Sequence, residues 1–290
     1  MQDKVAMGGS EEALRARVLV MPAELARLDG VAILAIRNPR GDEMVTPRIP
    51  GAVDVDLPSE LAAPGGGRRG SRPLPDVADL QRHARGWGLR QGQAVVVYDH
   101  DRGLVAGRAW WVLRWAGIAD VRLLDGGFAA WVAAGLPVVH RAAQAAPGDV
   151  TLSPGHEPTG LTVLDADAAA AIARTGVLLD TRVRPNYIGG PTPQGAARRG
   201  HIPGSVSAPV ADIFTEAGPI ADAATLRHLF AALGADGSRP VGVTCGAGIS
   251  AALGVAALAS IGIEAAMYPG SWSGWSADPE RPVTIGGLPG

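Results

Sequence analysis

Val241-Gly-Val-Thr-Cys-Gly-Ala-Gly-Ile-Ser250 passes from a short uncharged run into a turn of small residues, and Ala251-Ala-Leu-Gly-Val-Ala-Ala-Leu-Ala-Ser260 follows it. A short apolar run, a glycine-rich turn and an Ala/Leu-rich stretch read as a buried strand over Val241–Thr244, a tight loop, and a helix over Ile249–Ile261 ended by Gly262. Ala265–Tyr268 supplies the next strand, and Gly176–Leu179 and Val206–Ala208 supply two before it. Between them, Ala221–Leu233 has helical spacing and stops at Gly234. Strands that alternate with helices predict an α/β fold whose parallel sheet is covered on both faces. In such a sheet the functional loops leave the carboxyl ends of the strands, which is where Cys245 falls.

The same pattern occurs earlier in the chain. Ala94-Val-Val-Val-Tyr-Asp99, Ala109-Trp-Trp-Val-Leu-Arg-Trp-Ala-Gly117 and Leu124-Asp-Gly-Gly-Phe-Ala-Ala-Trp131 run parallel to Val241–Cys245, Ala256–Gly262 and Tyr268–Trp275. Upstream, Arg48-Ile-Pro-Gly-Ala pairs with His201-Ile-Pro-Gly-Ser, and Ala32-Ile-Leu-Ala-Ile-Arg37 with Val177-Leu-Leu-Asp-Thr-Arg182. Matches in the same order at a spacing of about 145 residues mean two copies of one domain, and not a solenoid of short repeats. The division expected is a first domain over 17–140, a proline-punctuated linker over 141–160, and a second domain over 161–288.

Composition narrows the function. Of 290 residues, 26 are Lys or Arg and 28 are Asp or Glu, a net charge of −2. That balance offers no basic field for nucleic acid or an anionic membrane. Val241–Ile263 carries no charge and imitates a membrane span, but its Ala/Gly content and Thr244, Ser250 and Ser260 suit a buried strand and helix better. The start of the chain has no basic-then-apolar leader, so a cytoplasmic location is expected. One cysteine excludes an internal disulfide, a Cys-based zinc site and a CxxC redox pair.

A single cysteine can still be a nucleophile. The backbone N–H groups of Gly246, Ala247, Gly248, Ile249 and Ser250 can curl around its sulfur, and the helix that follows turns its positive end toward it. The bland alternative is a small buried residue. Two other chemistries compete for this loop. Gly246-Ala-Gly-Ile-Ser-Ala251 fits a dinucleotide fingerprint, but Glu264 falls at the start of the next strand, where no ribose carboxylate belongs. A Cys-dependent phosphatase needs an arginine six residues after the cysteine, and Ala251 stands there. Gly65-Gly-Gly-Arg-Arg-Gly70 lies between Pro64 and Pro73 and reads as a flexible loop. Asp99, His100 and Asp101, consecutive on one loop tip, read as structural.

Together, Asp180-Thr-Arg182, Gly200-His-Ile-Pro-Gly-Ser205, Cys245-Gly-Ala-Gly-Ile-Ser-Ala251 and Pro269-Gly-Ser-Trp-Ser-Gly-Trp275 resemble the rhodanese family, and with the duplicated first half the chain is similar to its tandem-domain sulfurtransferases over residues 17 to 285. The resemblance implies two tandem rhodanese-like domains. It implies sulfur transfer from thiosulfate or 3-mercaptopyruvate to a thiophilic acceptor through a Cys245 persulfide, with no cofactor and no metal. The first domain is then catalytically silent, with Asp99 standing where the nucleophile would be. The partners implied are a small sulfur donor and a thiophilic acceptor such as cyanide or a thiol.

Several positions depart from the family pattern. Asn186 replaces the family arginine just before Tyr187, Gln194 stands near where the family's second arginine would fall, Ala247 replaces the loop serine, and Arg48 replaces the first-domain histidine. Arg182, Arg184, Arg198 and Arg199 are the cations left to hold a donor, and Arg182 and Arg184 are the substrate-binding candidates. Asp180 and Arg182 are expected to pair at the strand end, His201 to fix the turn at Pro203-Gly204, and Trp272 and Trp275 to pack the loop and last helix. A neutral loop favours 3-mercaptopyruvate over doubly charged thiosulfate. The missing arginines keep open a binding or scaffold protein of the same fold with little turnover.

Overall fold

A computed structural model describes residues 11–38, 47–155, 161–191 and 198–290. The chain divides into two compact units, and each takes one short segment from the other half of the sequence. The first holds Met1–Ala63, Leu74–Gly160 and Thr215–Ile220; the second holds Pro64–Pro73, Leu161–Phe214 and Ala221–Gly290.

In the first unit the elements are β1 (Leu19–Val20), α1 (Pro22–Leu25), β2 (Ala32–Arg37), β3 (Val53–Asp56), α2 (Leu57–Glu60), α3 (Val77–Gly86), β4 (Val95–Tyr98), α4 (Ala106–Trp115), β5 (Val121–Leu124) and α5 (Gly127–Ala133). The sheet runs β1-β5-β4-β2-β3 and is parallel throughout. Val95-Val-Val-Tyr98 is buried along its whole length, as a central strand covered on both faces must be. Asp56 and Asp76 cap α2 and α3 by accepting the N–H groups of Ser59 and of Ala78 and Asp79, which satisfies donors that have no partner inside a helix.

The second unit repeats this plan with α6 (Ala166–Thr175), β6 (Val177–Asp180), α7 (Arg184–Tyr187), β7 (Ser205–Ser207), α8 (Ala223–Ala232), β8 (Val241–Thr244), α9 (Ser250–Ser260), β9 (Ala266–Met267) and α10 (Ser271–Ser276). Its parallel sheet runs β7-β6-β8-β9, and a parallel bridge from Val163 to Met267 extends it where β1 lies in the first copy. The strands and helices read from the sequence are present, with ends moved by one or two residues. Helix α9 is nearly all buried, with Leu253, Val255 and Leu258 at the centre; burying each such side chain is worth about 1.5–3 kcal/mol. The duplication extends to single bonds. Trp131 Nε1 donates to Pro137 O and Trp275 Nε1 to Pro282 O, each at 2.8 Å.

Two stretches differ from the expected division. The described part of 141–160 does not stand free as a linker: Ala143 N–H donates to Ala52 O, Gly148 N–H to Arg85 O and Ser153 N–H to Ala116 O, and Val150 and Leu152 are buried. The segment Pro64–Pro73, expected as a flexible loop, contains a 3-10 turn at Gly67–Arg69 and packs on α10 within the second unit. Ser71 N–H donates to Ser273 Oγ at 2.9 Å, and Arg68 pairs with Asp278 at 3.0 Å. The approach is close enough that a Cβ on Gly70 would lie 2.5 Å from Gly270 O.

Candidate active site

Strand β8 ends at Thr244 and places Cys245 at the carboxyl edge of the second sheet, ahead of α9. The thiol is 1 % exposed. Gly248, in the left-handed region at φ 72°, turns the loop so that its N–H donates to Sγ at 3.0 Å. Of the five loop residues expected around the sulfur, Gly248 makes this bond. Gly246, Ala247, Ile249 and Ser250 are partly exposed at the mouth of the loop. The eleven-residue α9 directs its positive end at the same place.

Helix α10 holds the loop from the other side. Trp272 N–H donates to Cys245 O at 2.8 Å and Ser273 N–H to Gly246 O at 2.9 Å. Thr181 ties β6 to the loop, with its N–H donating to Thr244 O at 2.9 Å and its Oγ1 2.9 Å from Ser250 Oγ.

Ser271 was not singled out by the sequence, and it lies directly at the sulfur. It is fully buried, with Oγ 3.7 Å from Cys245 Sγ, accepting the Cys245 N–H at 3.3 Å and donating to Tyr268 O at 2.9 Å. Its φ is 52°, a conformation that strains a residue with a side chain. At the matching position of the first copy stands Gly127, with φ 61°. Its backbone angle, matched to that of Gly127, is what marks it out.

Asp180 and Arg182 form the expected ion pair. Arg182 Nε and Nη2 reach both carboxylate oxygens at 2.6–3.0 Å, Nη2 also donates to Gly200 O at 2.8 Å, and the guanidinium stacks 4.8 Å over Trp272. The group is buried and occupied, so Arg182 positions the loop and is not a free cation for a donor. Arg198 is occupied too, donating to Asp278 O and Arg281 O. Arg184 opens α7 and is exposed, and Asn186 lies in the same short helix, partly buried. Gln194 lies outside the described residues. His201 is buried and stacks on Tyr187 at 3.8 Å; its Nδ1 is 2.9 Å from Tyr187 O and its Nε2 3.1 Å from Leu288 O. It ties its own turn to the end of the chain. Among the described residues no group of His, Cys, Asp and Glu could hold a metal ion.

The equivalent loop of the first unit is filled by a carboxylate. Asp99 accepts N–H groups from Asp101, Gly103, Val105 and Ala106 at 2.7–2.8 Å. Burial pushes its pKa up, and the four amides oppose that shift. Phe128 N–H donates to Asp99 O at 2.9 Å, as Trp272 does to Cys245. The first copy thus keeps the amide-lined turn and closes it around its own side chain.

Two parallel sheets of one plan, each with an amide-lined turn at the carboxyl end of its central strand, define a tandem of a single domain type. The model of the rhodanese-like domain matches residues 25–134 and again 165–278, and the chain belongs to the rhodanese family. Among its relatives, SseB of Mycobacterium tuberculosis, named as a thiosulfate sulfurtransferase, is 41 % identical over 282 residues, 94 % of this chain and 98 % of that protein. A protein of Pseudomonas aeruginosa named as a 3-mercaptopyruvate sulfurtransferase is 40 % identical over 245 residues, 82 % of this chain and 84 % of its own. The crystal structure of SseA from Escherichia coli, described with the rhodanese fold and mechanism of 3-mercaptopyruvate sulfotransferases, superposes with a TM-score of 0.75 at 26 % identity, covering 88 % of this chain and 98 % of that one. Among the described residues no helix is long and apolar enough to cross a membrane.

Proposed function

We propose that the protein is a sulfurtransferase that carries sulfur as a persulfide on Cys245. The observation that carries this reading is the sulfur itself: a lone thiol at a strand end, on the Gly248 amide, with the Ser271 hydroxyl beside it. The relatives named for thiosulfate and 3-mercaptopyruvate transfer support the reaction class.

The Cys245 thiolate attacks the outer sulfur of the donor. The S–S bond of thiosulfate or the C–S bond of 3-mercaptopyruvate breaks, and sulfite or the enolate of pyruvate leaves with the electron pair. The terminal persulfide sulfur then passes to a thiophilic acceptor, and the thiolate returns. The sulfur is carried covalently, so the step calls for no cofactor. The Gly248 amide and the α9 dipole stabilise the anion on either side of the transfer.

The donor favoured is 3-mercaptopyruvate. Gly246 and Ala247 add no charge for the second negative charge of thiosulfate, and Arg182 is held by Asp180 and Gly200. Arg184 is the cation proposed for the donor carboxylate, and the first domain is proposed to be catalytically silent. The partners are small molecules, with no nucleic acid or membrane, and the setting is the cytoplasm, where a free thiol persists.

Intact-mass spectrometry after exposure to each donor tests the reading. The wild type should gain the mass of one sulfur and lose it to cyanide, and Cys245→Ser should gain nothing. A wild type that takes up no sulfur from either donor, or a Cys245→Ser variant that still turns over, would overturn it.

A further inference from the structure

The nucleophile loop takes three of its contacts from one short helix. Helix α10 gives the Trp272 N–H to Cys245 O and the Ser273 N–H to Gly246 O, and it sets Ser271 Oγ beside the sulfur. At six residues it is too short to hold its own place in water, so what packs on it sets the geometry at the thiol. The core supplies part of that hold, where Trp272 and Trp275 pack with Tyr268, Leu178 and Ile202.

The segment Pro64–Pro73 supplies another part, and Ser273 joins it to the loop. The Ser273 N–H is given to Gly246 O at 2.9 Å, and Ser273 Oγ accepts the Ser71 N–H at 2.9 Å. Two hydrogen bonds thus lead from the segment, through one residue, to the neighbour of Cys245. Backbone lies on backbone here. A Cβ on Gly274 would stand 2.8 Å from Arg68 O and 3.2 Å from Gly70 N, and one on Gly70 would stand 3.0 Å from Ser273 Oγ. The first copy is an internal control. At the positions that match Ser273 and Gly274 it has Ala129 and Ala130. These offer no hydroxyl to a passing segment and no room for its backbone. The copy that holds the thiol is the one that has both features.

We propose that Pro64–Pro73 is a positioning element of the sulfur-transfer site, with Ser273 as the positioning residue that carries its hold to the Cys245 loop. Its effect on turnover rests on the sulfurtransferase reading; its effect on the loop does not. Through this segment the first half of the chain takes part in the reaction, although its own turn is closed around Asp99.

Ser273→Ala and Gly274→Ala install the residues of the first copy. Alanine favours a helix over serine or glycine, so neither change weakens α10 itself. The first removes the acceptor of the Ser71 N–H, and the second drives a methyl group into Arg68 O. Each variant of the full chain is read by steady-state kinetics with both donors and by hydrogen exchange of the peptides that contain Cys245–Ser250. In both, kcat should fall by about threefold to tenfold, the size of one neutral hydrogen bond, with KM within about twofold of the wild type. Amide exchange in the loop should quicken by a similar factor. A role confined to stability would lower the Tm and leave kcat and loop exchange unchanged where the protein is folded. Should Gly274→Ala fail to fold, Ser273→Ala decides alone. Unchanged loop exchange in Ser273→Ala, or a kcat equal to that of the wild type, would overturn the proposal. A wild type that takes up no sulfur would instead defeat the sulfurtransferase reading, and loop exchange would still decide whether the segment holds the loop.

Discussion

The hydroxyl of Ser271 stands 3.7 Å from the sulfur of Cys245 while its proton is given to the carbonyl of Tyr268. In the thiol state the oxygen therefore presents a lone pair to the sulfur. When the sulfur becomes an anion, rotation of the hydroxyl turns the proton toward it. A hydrogen bond to a charged group is worth about 1.5–3 kcal/mol, tenfold or more in the rate of a step that passes through the anion.

Ser271→Ala and Ser271→Gly separate the hydroxyl from the backbone. Both should lower kcat/KM for either donor by about tenfold. Ser271→Gly should also hold or raise the Tm, because glycine takes the 52° φ without strain. Full activity in both variants, measured by steady-state kinetics, would remove Ser271 from the chemistry.

Asp99→Ala should leave sulfur transfer nearly unchanged at temperatures where the protein is folded. Stability should fall by about 3 kcal/mol or more, since four backbone N–H groups lose their acceptor. Denaturant unfolding beside an activity assay reads both effects. Loss of activity in a still-folded variant would give the first copy a chemical role.

Arg182→Met and Asp180→Asn each leave a buried charge or dipole without its partner, and each should cost about 3–5 kcal/mol. The double variant should be more stable than the sum of the two losses implies. Additive losses in a double-mutant cycle would mean that the two groups do not act as a pair.

Arg184→Ala should raise the KM for 3-mercaptopyruvate by about tenfold with little change in kcat, as expected when one charge-assisted contact to a carboxylate is lost. The wild type should show a higher kcat/KM for 3-mercaptopyruvate than for thiosulfate. An unchanged KM would clear Arg184 of the role, and the opposite donor order would reassign the donor.

The plan of the molecule was legible because it is written twice. Val95–Tyr98 and Val241–Thr244 are both buried runs before a turn, and two copies in register leave few alternative topologies. The Asp180–Arg182 pair was legible because its partners are two residues apart at the end of one strand. What escaped depends on residues far apart in sequence. Nothing local in Gly65–Gly70 predicts its packing on α10, which comes from Ser273, Gly270 and Asp278, some two hundred positions away. Ser271 was hidden differently: a serine in a glycine-rich turn looks ordinary until its φ is known.

The segments at Pro64–Pro73 and Thr215–Ile220 each complete the unit that does not contain their neighbours in the chain. On the ribosome, domains ordinarily fold in turn as they emerge. Here the amino-terminal sheet lacks the Ile220 amide that binds Asp125 until most of the second half has been translated. The carboxy-terminal half, expressed alone, would lack the piece that covers α10. A gene cut at residue 150 would therefore yield two halves, each without one segment of its own unit.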